Sequence, residues 1–512
     1  MNTAPYPVVL AGVNARYRHT AFGLRCLKAA LGERESQCVI EETTIKGDQD
    51  TFAKTILQHS PQIVGIGVYI WNVPQVESLV ARLKALKPDL IIVLGGPEVS
   101  HETEGQPVVE LADFVICGEG EEVFAQLVEA ILQGRETGPR IQDGGLPDLS
   151  SLPSPYPLYT DEDIANRVVY VEASRGCPFK CQFCLSSLDK KVRQVPLERF
   201  FEDMEVLLLR GARDFKFIDR TFNLKLDVST RILRFFLDRI DAGISLHFEM
   251  IPDRLPDALK ELLASFPPGI VQLEVGIQTF DKATAAKIER RQNYDKTEDN
   301  IRYLHEHTGV HLHTDLIVGL PGENLETFAM GFDRLIDLRP QEIQVGILKR
   351  LKGTPIRMHD QASGMKYNPD PPFDVLQTDV LSPEETEEMK HFSRLWDRIA
   401  NSGNFVEGLP LLWRDSHGPF VSFRGLVQYF LGIYGRSFGI SLVDLHRGML
   451  AYLVEVSGVD EVEARETLHR DFHRTPGRKT PRFLHVDNPL PARYQTGTGG
   501  ALKRQERHLA AR

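Results

Sequence analysis

171-VEASRGCPFKCQFCLSS-187 carries Cys177, Cys181 and Cys184 at Cys-x3-Cys-x2-Cys spacing, with an aromatic residue, Phe183, just ahead of the last cysteine. Three thiolates on one tight loop can hold three irons of a four-iron, four-sulfur cluster. The fourth iron then has no protein ligand nearby and stays open to an exogenous one. An open iron points to chemistry rather than to a structural staple. Structural zinc takes four ligands in paired groups, and no histidine follows Cys184 within about thirty residues. Zinc and a disulfide are therefore the weaker readings. Cys26, Cys38 and Cys117 stand singly in apolar surroundings and read as small buried hydrophobes.

Outward from this loop the chain reads as α/β. Downstream, apolar runs at 168-VVYVEAS-174, 214-DFKFID-219, 245-SLHFEM-250, 270-IVQLEVGIQ-278, 312-LHTDLIVG-319 and 342-EIQVGIL-348 alternate with helical patterns. Six units over residues 166–360 are too few for a closed eight-fold barrel; they resemble the partial, TIM-like (β/α)6 barrel of radical S-adenosylmethionine enzymes, with function expected at the strand carboxyl ends. Upstream, runs at 7–12, 38–43, 62–69, 90–96 and 113–118 alternate with amphipathic stretches, the pattern of a Rossmann-like domain over 1–140. Its strand ends, where a ligand would sit, carry Asn14, Tyr17, Tyr69, Trp71, Asn72, Gly95, Gly96, Glu98, Gly118, Glu119, Gly120 and Glu121. Glycine at such ends lets backbone approach a large ligand.

The segment 141–165 is rich in Pro, Ser, Asp and Gly and reads as a linker with little helix or strand of its own. Residues 370–475 read as a mainly helical domain. Its aromatic residues at helical spacing (Phe392, Trp396, Phe423, Tyr429, Phe430, Tyr434) are expected in a core rather than a substrate box. The tail 476–512 lacks periodicity and reads as disordered.

Composition narrows the classes. The 512 residues are 42% hydrophobic with a formal charge of −11, enough for packed cores and a poor match to a nucleic-acid backbone as main partner. The opening 1-MNTAPYPVVLAG-12 has no charged stretch before its short apolar run, so no signal peptide is expected. No apolar run approaches membrane-spanning length. Sparse cysteine and the proposed cluster fit a reducing cytoplasm.

The cysteine spacing in this context resembles the radical S-adenosylmethionine (SAM) superfamily. The resemblance implies that the open iron is chelated by the amino and carboxylate groups of SAM and that Phe183 lines the adenine side. It also implies that a reduced cluster cleaves SAM to a 5′-deoxyadenosyl radical, the cofactors carrying the difficult step. Later motifs follow in family order. Asp219, in 214-DFKFIDRTFN-223, sits where the strand-two backbone would meet the SAM amino group, with a structural cap as the competing reading. Glu249, in 247-HFEMIPDRL-255, resembles the residue that bonds the ribose hydroxyls. Gln278, in 274-EVGIQTF-280, would face the cleft, beside a Glu274 that needs a partner such as Arg254 or Arg290. Gly319, in 315-DLIVGLPGE-323, resembles the strand-five position that packs on adenine. The run 349-KRLKGTPI-356 resembles the last barrel strand and turn.

The N-terminal series 91-IIVLGGPEVS-100 and 113-DFVICGEGEEVF-124 resembles the cobalamin-binding domain that precedes many radical SAM domains. No Asp-x-His-x-x-Gly motif occurs before residue 140, so His19, His59 and His101 are expected at the surface, with no histidine–cobalt bond. Tyr69 or Trp71 would then supply an apolar lower face. The resemblance implies an enzyme using a 4Fe-4S cluster, SAM and cobalamin. Its modal reaction is methyl transfer to an unactivated carbon of an unknown substrate, fed by a low-potential donor such as flavodoxin or ferredoxin. Radical rearrangement or cyclisation, a methylthiotransferase-like activity and a non-catalytic cobalamin or redox sensor are the alternatives. No general base stands out.

Overall fold

The computed structural model describes residues 6–240, 243–414, 418–486 and 504–509. The first of two all-parallel, six-stranded sheets contains β1 (Val8–Asn14), β2 (Cys38–Thr44), β3 (Ile63–Gly67), β4 (Ile91–Gly95), β5 (Phe114–Cys117) and β6 (Ile141–Asp143), in the order β2-β1-β3-β4-β5-β6. β1 is buried from Val8 to Val13 because helices cover both faces, which is why it reads as a continuous apolar run rather than an alternation. The order reverses between β1 and β3. That switch point opens a crevice at the carboxyl ends of the strands.

The second sheet holds β7 (Val169–Val171), β10 (Asp214–Phe217), β11 (Ser245–Met250), β12 (Val271–Gln278), β13 (His311–Val318) and β14 (Glu342–Ile347), ordered β14-β13-β12-β11-β10-β7. Each βα unit adds on the same side, so the sheet curls into a partial barrel. β11 and β13 alternate along their length. Leu246, Phe248, Leu312 and Leu316 pack into the main core, whereas His247, Glu249, His313 and Asp315 are half-buried on the other face. A short antiparallel pair, β8 (Ser174–Arg175) with β9 (Arg193–Gln194), closes the loop that carries the three cysteines.

Two expectations change. The stretch read as a bare linker contains the edge strand β6 and the helix Asp161–Asn166, which carries a Thr160/Asp163 capping box. Asp163 and Arg167 extend that helix into a buried cluster with Arg25 and Glu42 of the N-terminal domain (2.7–3.1 Å), which clamps the two domains together. Within the tail, Arg504–Leu509 is helical and covers the amino ends of β12 and β14: Arg504 pairs with Glu342 (2.9 Å) and Gln505 bonds Gln272. The remainder of the disorder expectation, over 487–503 and 510–512, lies outside the described residues.

The helical region packs on the outside of the barrel. Phe392 and Trp396 meet both Phe332 of the barrel helix Leu325–Asp337 and Phe423 edge-to-face, with ring centroids 4.8–5.3 Å apart, as in a core. Among the described residues, none lining the two cavities described next comes from this region.

Candidate functional site

The cysteine loop is held from several sides. Gly176 has φ +95°, and a side chain there would strike the Lys191 carbonyl at 2.5 Å, so the turn into Cys177 requires glycine. Cys177 N–H donates to the Asp189 carbonyl (2.8 Å), Gln182 N–H to that of Ile288 (3.0 Å), and Ile356 N–H to that of Gln182 (2.9 Å). Cys177 and Cys181 are buried and Cys184 is half-buried. Burial pushes the Cys177 thiol up, opposed by the Phe179 backbone N–H.

The three cysteines open onto a cavity of about 240 Å³ at the carboxyl ends of β11, β12 and β13. Phe183, Glu249 and Gln278 line it, as the sequence suggested, together with Arg220, Glu274, Arg290, Arg291 and Asp315. Gln278 has φ +72°, strained for a side chain of its size, at a break in the β12–β13 register after Gly276. Glu249 and Glu274 are opposite one another across the β11–β12 ladder. Arg220 holds Glu249 (2.8 Å), whose carboxyl burial nevertheless raises. Glu274 takes neither Arg254 nor Arg290 as partner but His247 (2.9 Å) and Lys216 (3.6 Å); burial acts to raise it, yet the hydrogen bond with His247 and the Lys216 ammonium hold it at about 2. Arg290 sits 3.5 Å from Cys181 Sγ and donates to the Ile277 carbonyl (3.1 Å).

Asp315, opposite Gly276, has a buried Oδ1 with no hydrogen-bond partner, and burial followed by Glu274 and Glu249 drives its carboxyl well above the usual range. Facing carboxylates and guanidiniums suit a zwitterion bearing hydroxyls: acids for an ammonium and a ribose, arginines for a carboxylate.

Two predicted residues lie elsewhere. Asp219 is buried, accepting from Ala173 N–H (3.0 Å) and Ser174 Oγ (2.6 Å), so its side chain caps the end of β7 and is absent from the cavity lining. Burial pushes its carboxyl up to about 7 from 3.8. The neutral acid is the form the fold favours. Its stabilisation is complete below pH 3.8 and lost as pH rises through 7, a span of order 4 kcal/mol. Asp219→Asn is expected to flatten this slope in urea titrations at several pH values while leaving SAM cleavage intact. Gly319 (φ +87°) is also absent from the lining: a side chain there would meet Val375 at 2.5 Å, so the glycine admits a neighbouring strand rather than an adenine ring.

A second cavity, about 630 Å³, opens at the switch point of the first sheet. Its lining is mostly apolar and includes Tyr69, Trp71, Gly95, Gly96, Gly118, Glu119 and Gly120, all named from sequence. Tyr69 and Trp71 stack at 4.5 Å. Barrel residues Tyr170, Glu172, Arg175 and Ile218 complete the wall. Glu119 is engaged by the other domain: Arg175 bonds it (2.9 Å) along with Glu121 (2.7 Å) and Glu172 (2.7 Å), and Arg193 bonds both Glu119 and Asp189. Sequence reasoning missed this network because its members come from three separate segments. The expectation of surface histidines also changes. His59 is buried against Glu41 (2.7 Å), and His19 is half-buried on the cavity wall.

A family model described as "Radical SAM superfamily" matches residues 171–335, and one described as "B12 binding domain" matches residues 8–128. The chain joins a B12-binding domain to a radical SAM domain. A third model, "Protein of unknown function (DUF4080)", matches residues 361–498. An uncharacterized methyltransferase, PH0819, from Pyrococcus horikoshii is 27% identical, covering 59% of this chain and 70% of its own. The cobalamin-dependent radical SAM methyltransferase TokK of Streptomyces tokunonensis is 25% identical over 73% of this chain, which spans 62% of TokK. The cobalamin-dependent SAM radical enzyme OxsB with aqua-cobalamin bound shares the fold at a TM-score of 0.62 and 14% identity, covering 91% of this chain and 83% of its own.

The cofactors of this radical SAM protein are a 4Fe-4S cluster, SAM and cobalamin. The residues present fit them. Among the described residues no three His, Cys, Asp or Glu side chains are arranged to hold a single ion. Three thiols that share one cavity suit a cluster in which each binds a different iron. The glycine-edged apolar cavity suits a large flat macrocycle. Among the described residues no helix is long and apolar enough to cross a membrane.

Proposed function

We propose that this protein cleaves SAM reductively at a cluster held by Cys177, Cys181 and Cys184 and transfers a methyl group, by way of cobalamin, to an unactivated carbon of its substrate. When bound, the reduced cluster supplies the electron that generates the 5′-deoxyadenosyl radical, and cobalamin supplies the methyl group.

The observation that carries this reading is the closeness of the two cavities in sequence and space. Ile218 lines the cobalamin cavity, and Arg220, two residues on, lines the cysteine cavity. Arg175 lines the former and Cys177 the latter. In this reading Arg290 and Arg291 bind the SAM carboxylate. Glu249, Gln278 and Asp315 receive its ammonium and ribose hydroxyls, and Phe183 packs on its adenine. The strand ends with Gly95, Gly96, Gly118 and Gly120 bed the corrin.

Methyltransferase relatives support methyl transfer over rearrangement. The methylthiotransferase alternative needs a second cluster in the N-terminal domain. Cys38 opens β2 and Cys117 closes β5, at opposite ends of a parallel sheet, so these two cannot share one. We place the reaction in a reducing cytoplasm, with a flavodoxin- or ferredoxin-type donor and no nucleic-acid partner.

Product analysis tests the reading. The protein, reconstituted with iron, sulfide and hydroxocobalamin, is given SAM, reductant and cell metabolites. Methyl transfer yields both 5′-deoxyadenosine and S-adenosylhomocysteine, rising together. Substrate-dependent 5′-deoxyadenosine without S-adenosylhomocysteine would replace methyl transfer by rearrangement or oxidation.

A further inference from the structure

His19 belongs to the loop between β1 and the helix Phe22–Ala30, at the ligand end of a central strand. His19 lines the larger cavity. The loop is fastened to the barrel: His19 makes a parallel bridge with Val168, and Val168 N–H donates to the Arg18 carbonyl (2.9 Å). On the ring, Nδ1 lies 2.6 Å from the Tyr170 hydroxyl. Tyr170 lies opposite Lys216 in the β7–β10 ladder and lines the same cavity.

An imidazole whose Nδ1–H donates to a fixed oxygen presents its Nε2 lone pair outward. Histidines that ligate metals are held this way, the outer hydrogen bond setting tautomer and ring orientation. Ligation also needs a neutral ring. Burial, then Lys216, Arg16, Arg18 and Arg167, lower the His19 pKa, and the only hydrogen bond described for its side chain is the one to Tyr170. His59, by contrast, spends Nε2 on Glu41, away from the cavity.

We propose that His19 Nε2 is an axial ligand of the cobalt when cobalamin is bound, with Tyr170 as the positioning residue that orients it. The inference rests on the cobalamin assignment and replaces the expectation of a purely apolar face from Tyr69 and Trp71. It needs no Asp-x-His-x-x-Gly motif, because the orienting oxygen comes from the other domain, 151 residues away in sequence.

The test is electron paramagnetic resonance of the cob(II)alamin-loaded protein, prepared unlabelled and with 15N-histidine. Uptake is measured first, by absorption after gel filtration. A nitrogen triplet in unlabelled protein that becomes a doublet on labelling, and disappears in His19→Ala, supports ligation. Tyr170→Phe should keep the splitting and weaken cobalamin binding about 10- to 100-fold. A triplet insensitive to the label identifies the cofactor's own base as ligand and overturns the proposal. So does a spectrum without nitrogen splitting, or a doublet that survives in His19→Ala. Failure of the wild-type protein to take up cobalamin would overturn the cobalamin assignment itself, and the proposal with it.

Discussion

Replacing any one of Cys177, Cys181 or Cys184 by Ala is expected to reduce 5′-deoxyadenosine formation to that of a protein-free control. Iron in the reconstituted protein should fall from about four per chain. The magnitude follows from chemistry rather than stability. A cubane with one protein ligand missing has two open irons, and neither the potential nor the SAM site survives. The loop itself should persist, since its Gly176 turn, the Cys177–Asp189 bond and the Gln182 bonds are made by backbone. Far-ultraviolet circular dichroism and urea midpoints near wild type, with cleavage lost, are the expected pair of results. Unchanged cleavage in all three variants would refute the cluster assignment. By contrast, Cys26→Ala, Cys38→Ala and Cys117→Ala should each leave the iron count unchanged.

The second large effect is at Arg175. Its guanidinium is 16% exposed and compensates three carboxylates, Glu119, Glu121 and Glu172, of which Glu121 and Glu172 are exposed by only 7% and 10%. Breaking a buried pair by removing one partner costs about 3–5 kcal/mol, because the remaining charges stay buried and unpaired. Arg175→Met should lower the urea midpoint of the apo-protein by a corresponding amount, and Arg175→Met/Glu172→Gln should recover part of it. The pH dependence has a definite sign. Burial already raises the Glu172 carboxyl, which Arg175 opposes; without Arg175 it rises further. A raised folded-state carboxyl stabilises below its unfolded value, and that contribution is lost as pH rises through the folded one. The deficit of Arg175→Met should therefore widen with rising pH. A variant as stable as wild type at every pH would mean that the network is solvated and does not clamp the domains.

What could be read from sequence was local. Cys177, Cys181, Cys184 and Phe183 lie within eight residues of one another, and chemistry dictates their spacing. The strands of both sheets announced themselves as apolar runs, and the glycines of the larger cavity lie at the ends of those runs. What could not be read was set by tertiary contact. Asp219 looked like a ligand residue because it is polar at a strand end, yet Ser174 and the Ala173 backbone claim it. Gly319 looked like access for adenine, and Val375 fills the space. Asp315 opens 315-DLIVGLPGE-323, but its burial beside Glu274 and Glu249 depends on which strands flank it. His19 and Tyr170 meet across two domains, and no pattern in either segment signals the other. The helix at Asp161–Asn166 did have a local signal, Thr160-x-x-Asp163, masked by the proline-rich stretch before it. The helix Arg504–Leu509 had none, being too short for periodicity and held by Glu342 and Gln272.

The central claim is that the Cys177–Cys181–Cys184 cavity performs reductive SAM cleavage. Mass spectrometry of 5′-deoxyadenosine tests it most directly, using protein purified without oxygen, reconstituted with cluster and hydroxocobalamin, and supplied with SAM, dithionite and cell metabolites. Formation by wild type, and none by a Cys181→Ala control, is the predicted result. No 5′-deoxyadenosine from a protein carrying about four irons per chain would contradict it and favour a sensor that binds the same cofactors without turnover.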